Sequence, residues 1–130
     1  METKELLKKL HTEHAGWQNS ILGYRTELKL LNQDLSGIVS RFIPREVPSK
    51  AEHFQNQLIL QKDVLDIMRH DFKQYENLLE ANIDNPGKNE IGTILEAHQE
   101  NINRLADYGK YFNELKEEFN LFTNNEIQVS

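Results

Sequence analysis

The stretch from Leu7 to Phe42, LKKLHTEHAGWQNSILGYRTELKLLNQDLSGIVSRF, decides the fold. Stepping along it by three and then four residues gives Leu7, Leu10, His14, Trp17, Ile21, Tyr24, Leu28, Leu31, Leu35, Ile38 and Phe42. An unbroken 3-4 spacing over about five heptads sets all these side chains on one stripe of one long helix. Such a stripe needs partners of similar length, so a bundle of long helices is expected. Its single polar interruption is His14.

Outward from this stretch, Thr3 is a plausible N-cap, and the helix is expected to run to about Arg41. Pro44 and Pro48 oppose its continuation and bias the residues before them to extended backbone. Ser49 followed by Glu52 reads as a capping box that opens a second helix. That helix carries a seam of Ala51, Phe54, Leu58, Gln61, Leu65, Met68, Phe72, Tyr75 and Leu79. A second stripe lies beside it: His53, Gln57, Leu60, Val64, Ile67, Asp71, Gln74 and Leu78. Two stripes make a face wider than one partner helix covers. Contact with two neighbours accounts for most of that width, and any excess points to association with another chain.

Asp84-Asn85-Pro86-Gly87-Lys88-Asn89 combines the residue types that cap, kink and turn a chain. A third helix follows, with apolar positions at Ile91, Ile94 or Leu95, His98, Ile102, Leu105, Tyr108, Phe112, Leu115, Phe119 and Phe122. Its spacing slips by a residue near Gly109, read as a local adjustment of the supercoil. Past Phe122 the helical period is lost. The expected architecture is all-α: an antiparallel up-down-up bundle of three long helices, about 3–41, 49–84 and 89–122, in coiled-coil-like packing. Residues 1–123 form the bundle domain and 124–130 a flexible C-terminal tail. Gly16, Gly23 and Gly37 fall on one line beside the first seam, where another backbone could approach closely or where a long helix tolerates them.

Composition narrows the function classes. The chain has 130 residues and a net charge of -6, with its basic residues scattered along all segments, so a phosphate-neutralising face and nucleic-acid binding are not expected. The absence of cysteine excludes thiol catalysis, disulfides and Cys-type zinc sites. The charged N-terminal Met-Glu-Thr-Lys-Glu leads straight into an amphipathic pattern, and no run approaches the roughly 20 apolar residues of a membrane span. A soluble cytoplasmic protein with no membrane attachment is the expectation.

The polar seam positions converge. Neighbouring antiparallel helices set positions adding to about 90 level across the first turn and to about 172 across the second. His14, Tyr75 and His98 then share one layer, beside Trp17. One reading is structural: the imidazoles and the phenol hydrogen-bond one another, or Gln74, Asp71 or Glu13, and so fix the register of otherwise interchangeable apolar layers. The other is a metal site. His11 and His14 lie on one helical face, and with His98 and a carboxylate such as Asp71 or Glu76 they supply three nitrogens and one oxygen, a donor set that suits zinc or another first-row metal. His70 is expected in solvent and His53 partly buried.

Familiar chemistry is missing. No histidine follows a glutamate by three positions, as di-iron carboxylate bundles require, and none is followed four residues later by Glu, Asp or His. No phosphate loop, nucleophile elbow or H-E-x-x-H occurs. Three long antiparallel helices with Trp17 on the seam of the first resemble a spectrin-type repeat. That resemblance implies the bundle and carries across no functional residue. The sequence therefore favours a non-catalytic bundle acting through a protein partner or self-association, with metal or ligand binding at His11, His14, Tyr75 and His98 as the alternative.

Overall fold

The computed structural model describes the backbone of residues 3–84 and 90–129 and the side chains of residues 3–83 and 90–125. Helix α1 spans Thr3–Val39, α2 spans Ser49–Asp84 and α3 spans Ile91–Val129, with a single 3-10 turn at Pro44–Glu46. The chain is an all-α three-helix bundle.

Each helix buries its 3-4 seam. On α1 every seam position from Leu7 to Ile38 is buried or half-buried, and on α2 every one from Ala51 to Leu79 is buried. Asn82 extends the α2 seam by one more step. On α3 the buried set is Ile94, His98, Asn101, Tyr108, Phe112, Leu115, Phe119 and Phe122, with Leu105 half-buried. Asn101 occupies the seam and Ile102 points outward, so the 3-4 spacing of α3 is unbroken and the expected slip near Gly109 is absent. Choosing the apolar neighbour over the polar one created that apparent slip.

Cross-helix pairs fix the directions. His11 faces Glu80, His14 faces Glu76 and Arg25 faces Asp66, so each step up α1 is an equal step down α2. Tyr75 meets His98 and Phe54 meets Phe119, an antiparallel relation again. Glu13 meets His98 and Glu27 meets Lys116, so α1 and α3 run the same way.

The first connection behaves as its prolines require. After Val39 the hydrogen bonds tighten to Arg41 N–H donating to the Ile38 carbonyl and Phe42 N–H to that of Val39, both at 3.1 Å. Pro44 then occupies the first turn of the 3-10 segment, where its missing N–H costs nothing. At the second connection, Asn85–Asn89 lie outside the described residues. On either side of it, the Asn82 amide donates to the Leu78 carbonyl at 2.9 Å and to Glu90 Oε2 at 2.6 Å, tying the end of α2 to the start of α3. The backbone of α3 continues helical through Val129, past the expected end at Phe122. No glycine or proline stands in Thr123–Val129 to stop propagation, so the helix outlasts its apolar seam.

The core has two parts. The larger cluster runs from Ile21 and Tyr108 out to Leu35, Ala51, Phe54 and Phe122. The smaller gathers Leu7, Leu10, Tyr75, Leu79 and Ile94. Trp17 packs against both, at the level where His14 and His98 interrupt the apolar seams.

Gly16, Gly23 and Gly37 all face open space, with nothing among the described residues within 4 Å of an added Cβ. Gly109 differs: a Cβ there would stand 2.8 Å from the Tyr24 hydroxyl, whose ring packs on Tyr108 and Phe112. Gly23→Ala should therefore raise the urea unfolding free energy by about 1 kcal/mol, the helix-propensity gain. Gly109→Ala should gain much less, because Tyr24 must move. Equal gains at both positions would show that Tyr24 is not held where α1 and α3 meet.

Candidate functional site

The 3-4 spacing brings His14 of α1, Tyr75 of α2 and His98 of α3 to one level. His14 and Tyr75 have ring centroids 5.3 Å apart, and Tyr75 and His98 5.7 Å. Trp17 lies across the layer, 4.6 Å from the His98 ring and 5.5 Å edge-on to His14. Phe72 closes it from the larger cluster, at 5.6 Å from Trp17.

One hydrogen-bonded chain crosses this layer. The Tyr75 hydroxyl donates to His98 Nδ1 at 2.5 Å, and His98 Nε2–H donates to Glu13 Oε2 at 2.7 Å. Each helix supplies one member. With His98 neutral, this arrangement satisfies both ring nitrogens and fixes the proton on Nε2. Tyr75 and His98 are each 5% exposed, whereas the Glu13 side chain reaches solvent. Burial, reinforced by the nearby Glu13 carboxylate, pushes the Tyr75 phenol well above its usual value of 10. It stays a neutral donor at physiological pH.

His14 is treated differently. It is 1% exposed and its Nδ1 has no hydrogen-bond partner among the described residues. Its Nε2 lies 3.4 Å from Gln18 Nε2 and 3.9 Å from Glu76 Oε2. Burial lowers its pKa below the usual 6.5, outweighing the opposite pull of Glu76, with His11, His98 and Lys73 adding to the depression. Neutral imidazole is the favoured state. The Tyr108 hydroxyl is the second buried polar atom without a partner among the described residues, and its phenol is pushed upward by burial and by Tyr111 and Tyr24.

The four residues picked as metal ligands do not come together as a set. Asp71 is turned away, its Oδ2 held by Arg104 at 2.8 Å, and both nitrogens of His98 are engaged by Tyr75 and Glu13. His11 sits at the α1–α2 seam instead, with Nε2 3.4 Å from Glu80 Oε1 and 4.0 Å from Glu76 Oε1. Gln74 is exposed beside His70, also exposed as expected. His53 is exposed rather than partly buried, its ring set edge-on to Phe54. Of the polar partners weighed for the layer, Glu13 is the one that engages. Glu80 escaped the sequence reading, although it lies one helical turn beyond Glu76 on the same α2 face and level with His11 across the seam.

A different feature opens on the other half of the α1–α2 seam. The buried Leu28 and Leu58 form the floor of a groove of about 580 Å³, bordered by Leu22 and Ile59, by Thr26 and Asn32, and by the cationic Arg25, Lys29 and Lys62. Leu22 and Ile59 are each 63% exposed there. Arg25 also reaches Asp66 at 3.5 Å. No described helix is long and apolar enough to cross a membrane.

No protein-family model matches the chain, and neither a curated protein nor a solved structure is significantly similar to it.

Two outcomes follow from the layer. Tyr75→Phe leaves His98 Nδ1 buried without its donor and should cost about 1–3 kcal/mol in urea unfolding, whereas Glu13→Gln, at the solvent end, should cost less. For His14, a folded pKa below the unfolded value means that the unfolded chain takes up the proton first as pH falls. Stability should be level above about pH 7 and decline below about 6.5, and His14→Leu should flatten that decline. Thermal melts of both proteins from pH 8 to 5 check the sign; an increase in stability toward pH 5.5 that depends on His14 would contradict burial of the neutral ring.

Proposed function

We propose that this chain is a non-catalytic, cytoplasmic helical bundle that acts by binding another helix along the α1–α2 groove, without nucleic acid or membrane. The groove carries this reading. Its floor is apolar, its length follows two antiparallel helices, and its rims are cationic in a chain of net charge -6. A helix with an apolar stripe flanked by carboxylates complements both features, the stripe filling the floor and the acidic flanks meeting Lys29, Lys62 and Arg25. A second copy docked groove to groove would set like-charged rims against each other, so a partner of different sequence fits better than self-association. The exposed α2 residues Leu60 and Ile67 lie outside the groove lining and extend the apolar surface of that helix. Against catalysis stands the burial of Tyr75 and His98, whose hydrogen-bonded chain meets water only through Glu13.

A synthetic amphipathic helix with leucines at 3-4 spacing and flanking glutamates probes this directly. Binding measured by fluorescence anisotropy should weaken as salt rises, and should fall by at least about tenfold in Ile59→Asp. A lysine-flanked version should not bind. Equal binding of both peptides, or no effect of Ile59→Asp, would overturn the groove as the docking surface; a molar mass rising with concentration in light scattering would favour self-association instead.

A further inference from the structure

Where α1 crosses α2 at the level of the smaller apolar cluster, three donor atoms converge. His11 Nε2 and the carboxylates of Glu76 and Glu80 offer one ligand atom each, all within 4.8 Å of one another. The closest separation is His11 Nε2 to Glu80 Oε1 at 3.4 Å, with Glu76 Oε1 4.0 Å from the same nitrogen. Ligand atoms around a tetrahedral zinc ion, bonded at about 2.0–2.2 Å, sit about 3.3–3.6 Å apart. One pair is already at that spacing. Glu80 is exposed and Glu76 half-buried, so these are the side chains that would turn to close the rest.

The group is more than a patch of acid. It includes an imidazole, and behind it stands a second one, His14, 1% exposed and turned so that its Nε2 faces Glu76 Oε2 at 3.9 Å. The Gln18 Nε2–H donates to His14 Nε2 at 3.4 Å, so that nitrogen is an acceptor and His14 meets Glu76 by packing. Glu76 and Glu80 stand four residues apart and project from one face of α2, while His11 closes the site from α1. Lys73 Nζ lies 3.3 Å from Glu76 Oε2 and occupies the charge that a cation would otherwise meet.

We propose that His11, Glu76 and Glu80 form a binding site for a divalent first-row cation, zinc foremost, with His14 packed behind Glu76 and with one coordination position open to water. One nitrogen and two carboxylate oxygens suit zinc, cobalt and manganese, and among these the nitrogen favours zinc and cobalt over manganese. The cation would clamp α1 to α2 at the open end of the bundle, and binding to the folded chain alone would stabilise it.

The full chain titrated with zinc chloride by calorimetry tests this, with cobalt absorption as a second readout. One zinc per chain is expected, together with a raised melting temperature and the visible bands of low-symmetry cobalt. His11→Ala and Glu80→Gln should each weaken binding by at least about tenfold. Lys73→Gln should tighten it, because the internal competitor for Glu76 is gone. These surface substitutions leave the core intact, so loss of folding does not confuse the result. Absence of zinc binding at millimolar concentration would overturn the proposal. So would binding that His11→Ala and Glu80→Gln leave unchanged, since the ion would then sit elsewhere, as at His53 or His70. The groove peptide is unaffected by either result, because its lining shares no residue with this site.

Discussion

The hydrogen-bonded chain from Glu13 through His98 to Tyr75 takes one residue from each helix and closes only at one relative height of the three. Apolar seams do not discriminate in this way. Leu7, Leu10, Ile21 and Leu28 on one helix would pack acceptably against leucines and phenylalanines one turn higher or lower on another, because burial depends on area and hardly on identity. Sliding α3 by one turn would strip His98 of both partners inside the bundle, a cost of several kcal/mol against a small change in apolar contact. The layer gains little net stability over an apolar one and gives the bundle a single register.

From that register the rest follows. The two apolar clusters meet at the layer, and Trp17 spans it because its ring is long enough to touch both while covering His98. On α1 and α2 the same alignment places His14 beside Glu76, His11 beside Glu80 and Arg25 beside Asp66. The candidate cation site and the groove are therefore two stretches of one seam. Toward the N-terminus of α1 the seam gathers carboxylates around imidazoles, and toward the middle it gathers cations around leucine and isoleucine.

The architecture was legible because each helix repeats its spacing for as long as it packs and each connection is marked by proline or by a turn sequence; the end of α3 was not, since the helix runs on to Val129 beyond its seam. The level of His14, Tyr75 and His98 was legible as well, since short connections between straight antiparallel helices leave little freedom. What escaped depended on rotation about a helix axis and on competition between neighbours. Asn101 and Ile102 differ by one position, and hydrophobicity pointed to the wrong one: the seam geometry of α3 buries the amide and leaves Ile102 36% exposed. Asp71 lay at the expected height but on the flank facing Arg104, and an exposed ion pair holds it there. Glu80 carried a signal in its spacing from Glu76, but pairing it with His11 required applying the antiparallel step one turn further from the layer. The groove left no sequence signature, because it arises where two side chains on different helices, Leu22 and Ile59, both happen to face outward beside buried leucines.

Because the chain contains no cysteine, two spin labels can be placed without interference. Labels at Asn19→Cys on α1 and Asn103→Cys on α3, both exposed positions, report the relative height of these helices by pulsed electron resonance. A single narrow distance is expected in the otherwise unaltered chain, and a broadened or multiple distribution when Tyr75→Phe and His98→Leu are combined while the bundle stays helical. The same narrow distance in both proteins would show that the apolar seams alone set the register and would contradict the role given to the polar chain.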